Sequence, residues 1–299
     1  MSTSNPSSTA ERTPRAPHPP RVPVWMTRSA LFTVMALAAA YFLLPVWWLV
    51  VTATKRNGYL FNTNNLWFSH FDLLGNIRAV FSQDDGIYGR WLLNSLIYAV
   101  GGAAAATALA AMAGYALSKY QFRGREAIFN SILGAVLIPA PLFALPLYLM
   151  FSKVGLVDTY WAVLIPSTVS PFGVYLARIY STAAIPDELI DAARIDGAHD
   201  VRIFRTIAMP IMTPALVTVF LFQFVTIWSN YLLPSLMLAN ANLQPVTEGL
   251  VNWQAIRGAA ILPYNVVITG ALISVVPIVA MFLCLQRFWR TGLTTGSVK

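Results

Sequence analysis

Six long apolar runs separated by polar intervals set the pattern of this chain. They cover roughly residues 30–51, 92–117, 127–151, 159–177, 212–236 and 262–285. Each approaches or exceeds the ~20 residues a helix needs to cross a hydrocarbon core about 30 Å thick. The pattern therefore predicts an all-α polytopic membrane protein with six transmembrane helices. The runs differ in character. The second is rich in Gly and Ala around Gly101–Ala106, and small residues let membrane helices approach closely where lipid gives no hydrophobic drive to associate. The third carries Pro139, Pro141 and Pro146, and the fourth is bounded by Asp158 and Arg178.

Residues 1–28 are rich in Pro, Ser and Arg and read as a disordered tail ahead of a membrane domain over 29–299. A cleaved signal peptide is the alternative, with Ala38–Ala40 as small residues; the apolar run continues through Val51, longer than a usual signal core. Outer loops are expected over about 53–91 and 239–262, and a polar segment over about 178–210.

Composition agrees with a membrane protein. Hydrophobic residues make up 57% and charged ones 11%, against roughly 25% charged in soluble proteins. The net charge of +8 does not indicate nucleic acid, because the excess lies in the tail and beside apolar runs, where topology selects Lys and Arg. The tail, the 118–126 loop, the 178–205 segment and the C-terminal end hold 4, 3, 4 and 3 of these residues, 14 of the 20. The remaining six are Lys55, Arg56, Arg78, Arg90, Lys153 and Arg257. The positive-inside rule places both termini in the cytoplasm. The one cysteine, Cys284, excludes a disulfide framework, and the three histidines are scattered, so no metal site is expected.

Between Arg178 and Arg205 lie four Arg and five acids. Burying nine charges would cost on the order of 25 kcal/mol at roughly 3 kcal/mol each, so this segment stays at the water. Pro186 suits a first helical position, and Asp187 and Glu188 complement the helix dipole. Leu189, Ala192 and Ala193 recur at helical spacing, and Gly197 can adopt the left-handed conformation that stops a helix. Val201, Phe204 and Ala208 continue a second helical pattern before Pro210 and Pro214. The product is two short helices with a sharp turn. An amphipathic linker on the lipid surface is the alternative, but such helices carry Lys and Arg with bulky anchors, and this one is acidic.

Asp191-Ala192-Ala193, three residues, Gly197, nine residues, then Ile207-Ala208-Met209-Pro210 resembles the EAA loop of ATP-binding-cassette (ABC) importer permeases. Asp191 stands for the usual Glu and Met209 for the usual Leu. Asn94-Ser95 through Ala116-Leu117-Ser118-Lys119-Tyr120-Gln121-Phe122-Arg123-Gly124 resembles the carbohydrate-uptake branch. The ending from Gln286 to Lys299 resembles the maltose-permease (MalG-like) subunits. The resemblance implies the type I importer permease fold in a bacterial cytoplasmic membrane. It also implies partners: a sister permease in a heterodimer, two copies of an ABC ATPase, an extracytoplasmic solute-binding protein, and membrane lipid. Asp191, Ala192, Ala193, Gly197, Ala198, Ile207 and Pro210 would form the ATPase-docking element, the coupling helix of that family.

No Gly-x-x-x-x-Gly-Lys-Ser/Thr loop occurs in the chain, so ATP and Mg would be used by the partner ATPase and no cofactor by this chain. No catalytic residue is expected; a Gly-x-Ser-x-Gly elbow is also missing. For a substrate path, the fifth run offers Phe224, Trp228 and Tyr231 at i, i+4 and i+7, beside Gln223 and Asn230, with Asn94, Asn130 and Asn265 as further polar candidates. Rings and amides suit a sugar, while packing and interhelical hydrogen bonding explain the same residues. Asn240, Asn242 and Gln244 occupy the position where family members reach a binding protein. The expected function is import of a sugar, a di- or oligosaccharide, by alternating access. The alternatives are a permease for another solute such as glycerol phosphate or a polyol, and a membrane scaffold that transports nothing. An ion-coupled carrier ranks below these because no charge falls near the centre of a run.

Overall fold

The computed structural model describes residues 24–257 and 263–294. Most of the disordered-tail assignment and part of the 239–262 loop therefore lie outside the described residues. Two compact units divide after Trp48. The first, in its described part, is α1 up to Trp48; α1 (Val24–Ala53) begins within the stretch read as tail, has its side chains exposed from Leu31 to Trp48, and ends in the second unit.

The second unit is built around α3 (Ile87–Lys119), flanked by α7 (Pro171–Ala184) and α10 (Met209–Trp228). α3 starts five residues before the apolar run, because Gly86, at φ 79°, turns the chain into it. Its small residues Ala103, Ala106, Ala110 and Gly114 are buried along one stripe. A Cβ at Gly114 would sit 2.5 Å from the Ala177 Cβ and 2.7 Å from the Arg178 nitrogen, so α3 and α7 cross at backbone distance.

Five helical stretches are long and apolar enough to cross a membrane among the described residues: Leu31–Ala53, Leu73–Lys119, Tyr160–Ala184, Asp200–Trp228 and Tyr264–Phe288. A bent pair, Arg125–Val136 with Pro141–Lys153, brings the number to six when it is counted as one broken span. Three runs depart from simple helices. The third is α4 (Arg125–Val136) and α5 (Ala144–Lys153), folded by 97°. Pro139 and Pro141 cause the break, since neither donates a backbone hydrogen bond and each forces its predecessor out of the α region. The fourth is α6 (Tyr160–Ser167) followed by α7, whose start is set by Pro171 and by the Ser170 hydroxyl accepting from the Gly173 N–H. α7 runs on to Ala184, so Arg178 lies inside a helix instead of bounding one. The fifth ends at Trp228, not near 236; a break at Ser229–Tyr231 separates it from the short α11 (Leu232–Met237).

The segments expected as outer loops are folded where they are described. In 54–86, α2 (Leu73–Ser82) packs on α13 (Tyr264–Thr294). The Asn76 amide donates to the carbonyls of Ala53 and Lys55, both at 2.8 Å, and Asn265 donates to Asn76 at 2.6 Å. Asn265 thus ties α13 to α2 through its amide nitrogen, while its Oδ1 is buried without a partner. After α11 comes α12 (Val246–Arg257). Two apolar clusters form the core. One is large and aromatic, with Tyr88, Trp91, Tyr98, Phe224, Trp228 and Trp253. The other is smaller, with Tyr115, Ala177, Ile190, Ile203 and Met212, and lies at the basic end where Lys119 and Arg178 stand.

Candidate functional site

The charged segment forms α8 (Asp187–Ile195) and α9 (Asp200–Ile203) around Gly197. Pro186 precedes the first turn, and Asp187 and Glu188 sit in it. The buried face of α8 is Ile190 and Ala193, about 100° around from Leu189 and Ala192. Ala193 therefore packs inward with Ile190, while Leu189, Asp191 and Ala192 are exposed. Gly197 takes φ 79°, and a Cβ there would meet nothing within 4 Å, so the backbone conformation and not crowding calls for glycine. The Ala198 N–H donates to the Ala193 carbonyl and the Gly197 N–H to Arg194, closing the end of α8. Ala198 and Ile207 are half-buried against the smaller cluster; Pro210 is exposed. Beyond the acids, the water-facing surface carries Ile195, 87% exposed, and Val201, 62% exposed. The sequence pattern grouped Val201 with Phe204 and Ala208, but Val201 is exposed and Ala208 buried.

Charge pairs join this segment to its neighbours. The Lys119 amine, at the end of α3, donates to the Ile185 carbonyl and to Asp187 Oδ1 at 2.7 Å. That bond holds the Asp187 carboxyl below the usual carboxylate range. Arg178 donates to Glu126 at 2.6 Å and lies 3.8 Å over the Phe129 ring; its hydrogen bond holds Glu126 low in the same way. Arg194 bridges Asp191 at 3.5 Å and Asp200 at 3.3 Å. Displacing α8 would thus pull on the end of α3, while Arg178 ties α7 to the start of α4.

α9 does not end before the fifth span. A π turn over Phe204–Ala208 joins it to α10, with the Met209 N–H donating five residues back to Phe204. Pro210, which has no N–H, follows at once, and the wider turn accommodates it.

The substrate-path candidates scatter. Phe224 and Trp228 are buried in the aromatic cluster and stack at 5.6 Å. Tyr231 lies beyond the helix, so the i, i+4, i+7 stripe does not exist as a surface. Gln223 donates to the Ser167 carbonyl at 3.0 Å, joining α10 to α6. Asn230 accepts from the Leu233 N–H at 3.3 Å. Asn130 is exposed on α4. The exposed face near the end of α10 is instead Phe222, Val225 and Thr226, with Ser229 exposed just past its last residue.

Asn94 serves a different purpose. It is fully buried and donates to the carbonyls of Asn242 at 2.8 Å and Gln244 at 3.0 Å, while accepting from the Tyr160 hydroxyl at 2.8 Å. One turn to either side, Trp91 donates to Ala241 at 2.9 Å and Tyr98 to Leu243 at 2.8 Å. The 241–244 strip is therefore pinned by its backbone to one face of α3. Asn240 spends its side-chain oxygen on the Asn242 N–H, and the buried Gln244 accepts from Asn252. Asn242 keeps an exposed side chain. Just beyond, Glu248 is buried with Oε2 unpartnered, and burial pushes its carboxyl up to about 7.

Comparison with known proteins matches residues 106–290 to the family of binding-protein-dependent transport system inner membrane components. The chain is 34% identical over 250 residues to an arabinooligosaccharides transport system permease of Halalkalibacterium halodurans, covering 83% of this chain and 86% of that protein. It is 28% identical over 268 residues to a lactose transport system permease of Rhizobium radiobacter, covering 90% and 95%. Its fold matches a chain in the crystal structure of a bacterial ABC transporter involved in the import of the acidic polysaccharide alginate. That match has a TM-score of 0.76, 22% identity, and coverage of 92% of this chain and 100% of the other.

Proposed function

The chain belongs to the family of binding-protein-dependent transport system inner membrane components, and from that premise we propose that it is one permease of an ATP-driven importer for a di- or oligosaccharide. As a family member it is a multi-pass protein of the inner membrane. Orientation follows the charge count, with the basic end and both termini in the cytoplasm. The observation that carries the reading is the construction of α8: an acidic, partly apolar helix presented to water and joined by Lys119 to the longest membrane helix of the second unit.

A separate ATPase pair, using ATP and Mg, engages α8 around Asp191, Ala192 and Gly197, with Ile195 and Val201 as apolar anchors. Closure of that pair moves α8 in each permease of a heterodimer. The displacement passes through Lys119 to α3 and through the π turn to α10, so the bundle alternates between inward- and outward-facing states. A solute-binding protein delivers sugar at the opposite end. The substrate class draws on the relatives' names: both are permeases of sugar transport systems.

The test is uptake into liposomes by the complete complex with its binding protein, offered arabino-oligosaccharides, lactose and glycerol 3-phosphate. ATP-dependent uptake of a sugar supports the assignment; uptake of glycerol 3-phosphate alone overturns it. Gly197→Val should abolish uptake and release the ATPase on purification, while membrane insertion persists. Normal copurification and normal uptake in that variant would remove the docking assignment.

A further inference from the structure

Between α3, α10 and α13, at the basic end, runs an open groove of about 540 Å³. Its walls are Met209, Pro210, Leu216, Val217, Phe220 and Leu285. Thr107 also lines it, and its buried hydroxyl has no hydrogen-bond partner. Arg205 stands at the mouth.

The dimensions fit the membrane. Met209 to Phe220 spans eleven residues, about 16 Å of helix at 1.5 Å per residue. One leaflet of hydrocarbon is half of about 30 Å. Arg205 precedes Met209 by about one turn, just past the end of that stretch. It is exposed, and no ion pair found among the described residues uses it. Arg123 and Arg202 at the same end likewise take part in no ion pair among the described residues, and of these cations Arg205 is the one that lines the groove.

The groove also lies on a different side of α10 from the strip at Phe222, Val225, Thr226 and Ser229. Phe220 and Phe222 point about 200° apart on a helix. We propose that this groove binds an anionic phospholipid, with its phosphate against Arg205 and an acyl chain along Met209 to Phe220. Basic sites between membrane helices recognise anionic headgroups in this way, and the mostly apolar walls accept an acyl chain.

The test uses the intact transporter complex in neutral detergent, exposed to dioleoylphosphatidylglycerol or to dioleoylphosphatidylcholine and read by native mass spectrometry. The wild type should retain the phosphatidylglycerol preferentially. Arg205→Gln should lower its occupancy about five-fold, the loss expected for one cation at an anionic headgroup. Arg205→Lys should keep most of it, and Val217→Trp, which fills the groove, should reduce both lipids. Equal retention of the two lipids by wild type, or unchanged phosphatidylglycerol in Arg205→Gln, overturns the proposal. So does a photoreactive residue substituted at Val217 that crosslinks to the sister permease instead of lipid.

Discussion

The two ends of the second unit are held together by different chemistry. At the opposite end, α3 holds a loop by buried, neutral hydrogen bonds from Trp91, Asn94 and Tyr98 to backbone carbonyls, beneath a core of stacked aromatic rings. At the basic end, the same helix holds a partner-facing element by charge pairs that reach the surface. The Lys119 side chain is 6% exposed but its partner Asp187 is 81% exposed. Buried bonds are costly to leave unmade, whereas exposed pairs exchange readily with water and weaken with salt. One helix thus has a fixed end and an adjustable one, and the adjustable end meets the element assigned to the motor.

The contrast breaks most severely at its fixed end. Asn94→Leu strands the carbonyls of Asn242 and Gln244 and should cost about 3 kcal/mol. In the purified complex this should appear as a thermal midpoint about 8 °C lower. Gly114→Ala, at the basic end, forces α3 from α7 and should cost about 2 kcal/mol as overpacking, with a midpoint about 5 °C lower. If Gly114→Ala proves the more damaging, the assignment of rigidity to the aromatic end is reversed.

Glu248 sharpens the comparison by pH. Its carboxyl is raised by burial from 4.5 to about 7, so the native state binds more protons than the unfolded chain between those values. Stability should therefore fall as pH rises from about 4.5 to 7 and stay low above that. Glu248→Gln should raise the midpoint at pH 8 by about 3 °C and leave it unchanged at pH 5; an equal gain at both would exclude ionisation as the cause. Lys119→Met should shift the midpoint least of all, yet lower sugar moved per ATP hydrolysed on the order of ten-fold, as coupling residues can. Asp187→Asn should do the same, and unaltered coupling in both would show that α3 does not receive the motion.

The membrane class and the charged segment were legible because they rest on averages: an uncharged run of ~20 residues, or nine charges between two apolar runs, survives any local misjudgement. Positions that depend on a single rotation or break were not. In nine-residue α8, Leu189–Ala192 and Ile190–Ala193 are equally good helical faces, and only the cluster around Tyr115 and Ile203 selects the second. Pro139 and Pro141 were visible, but a proline in a membrane span can kink, break or be tolerated, and the 97° bend is a tertiary outcome. Leu232, Leu233 and Leu236 carried the fifth run past Trp228, because hydropathy does not register a cap such as Asn230. Asn94 read as a possible sugar ligand because an amide that grips backbone looks the same in sequence.

The π turn at Phe204–Ala208 amounts to one residue inserted into an otherwise regular helix. Removing any one of those five positions would rewind the turn to ordinary α geometry. Everything before it would then revolve by about 100° and draw in by about 1.5 Å relative to α10. On the proposed docking, that residue sets the azimuth at which α8 and Gly197 would meet the ATPase, as a shim sets the angle of a gear. Two permeases that differ by a single-residue deletion here would address their motors from different directions while keeping every membrane helix the same.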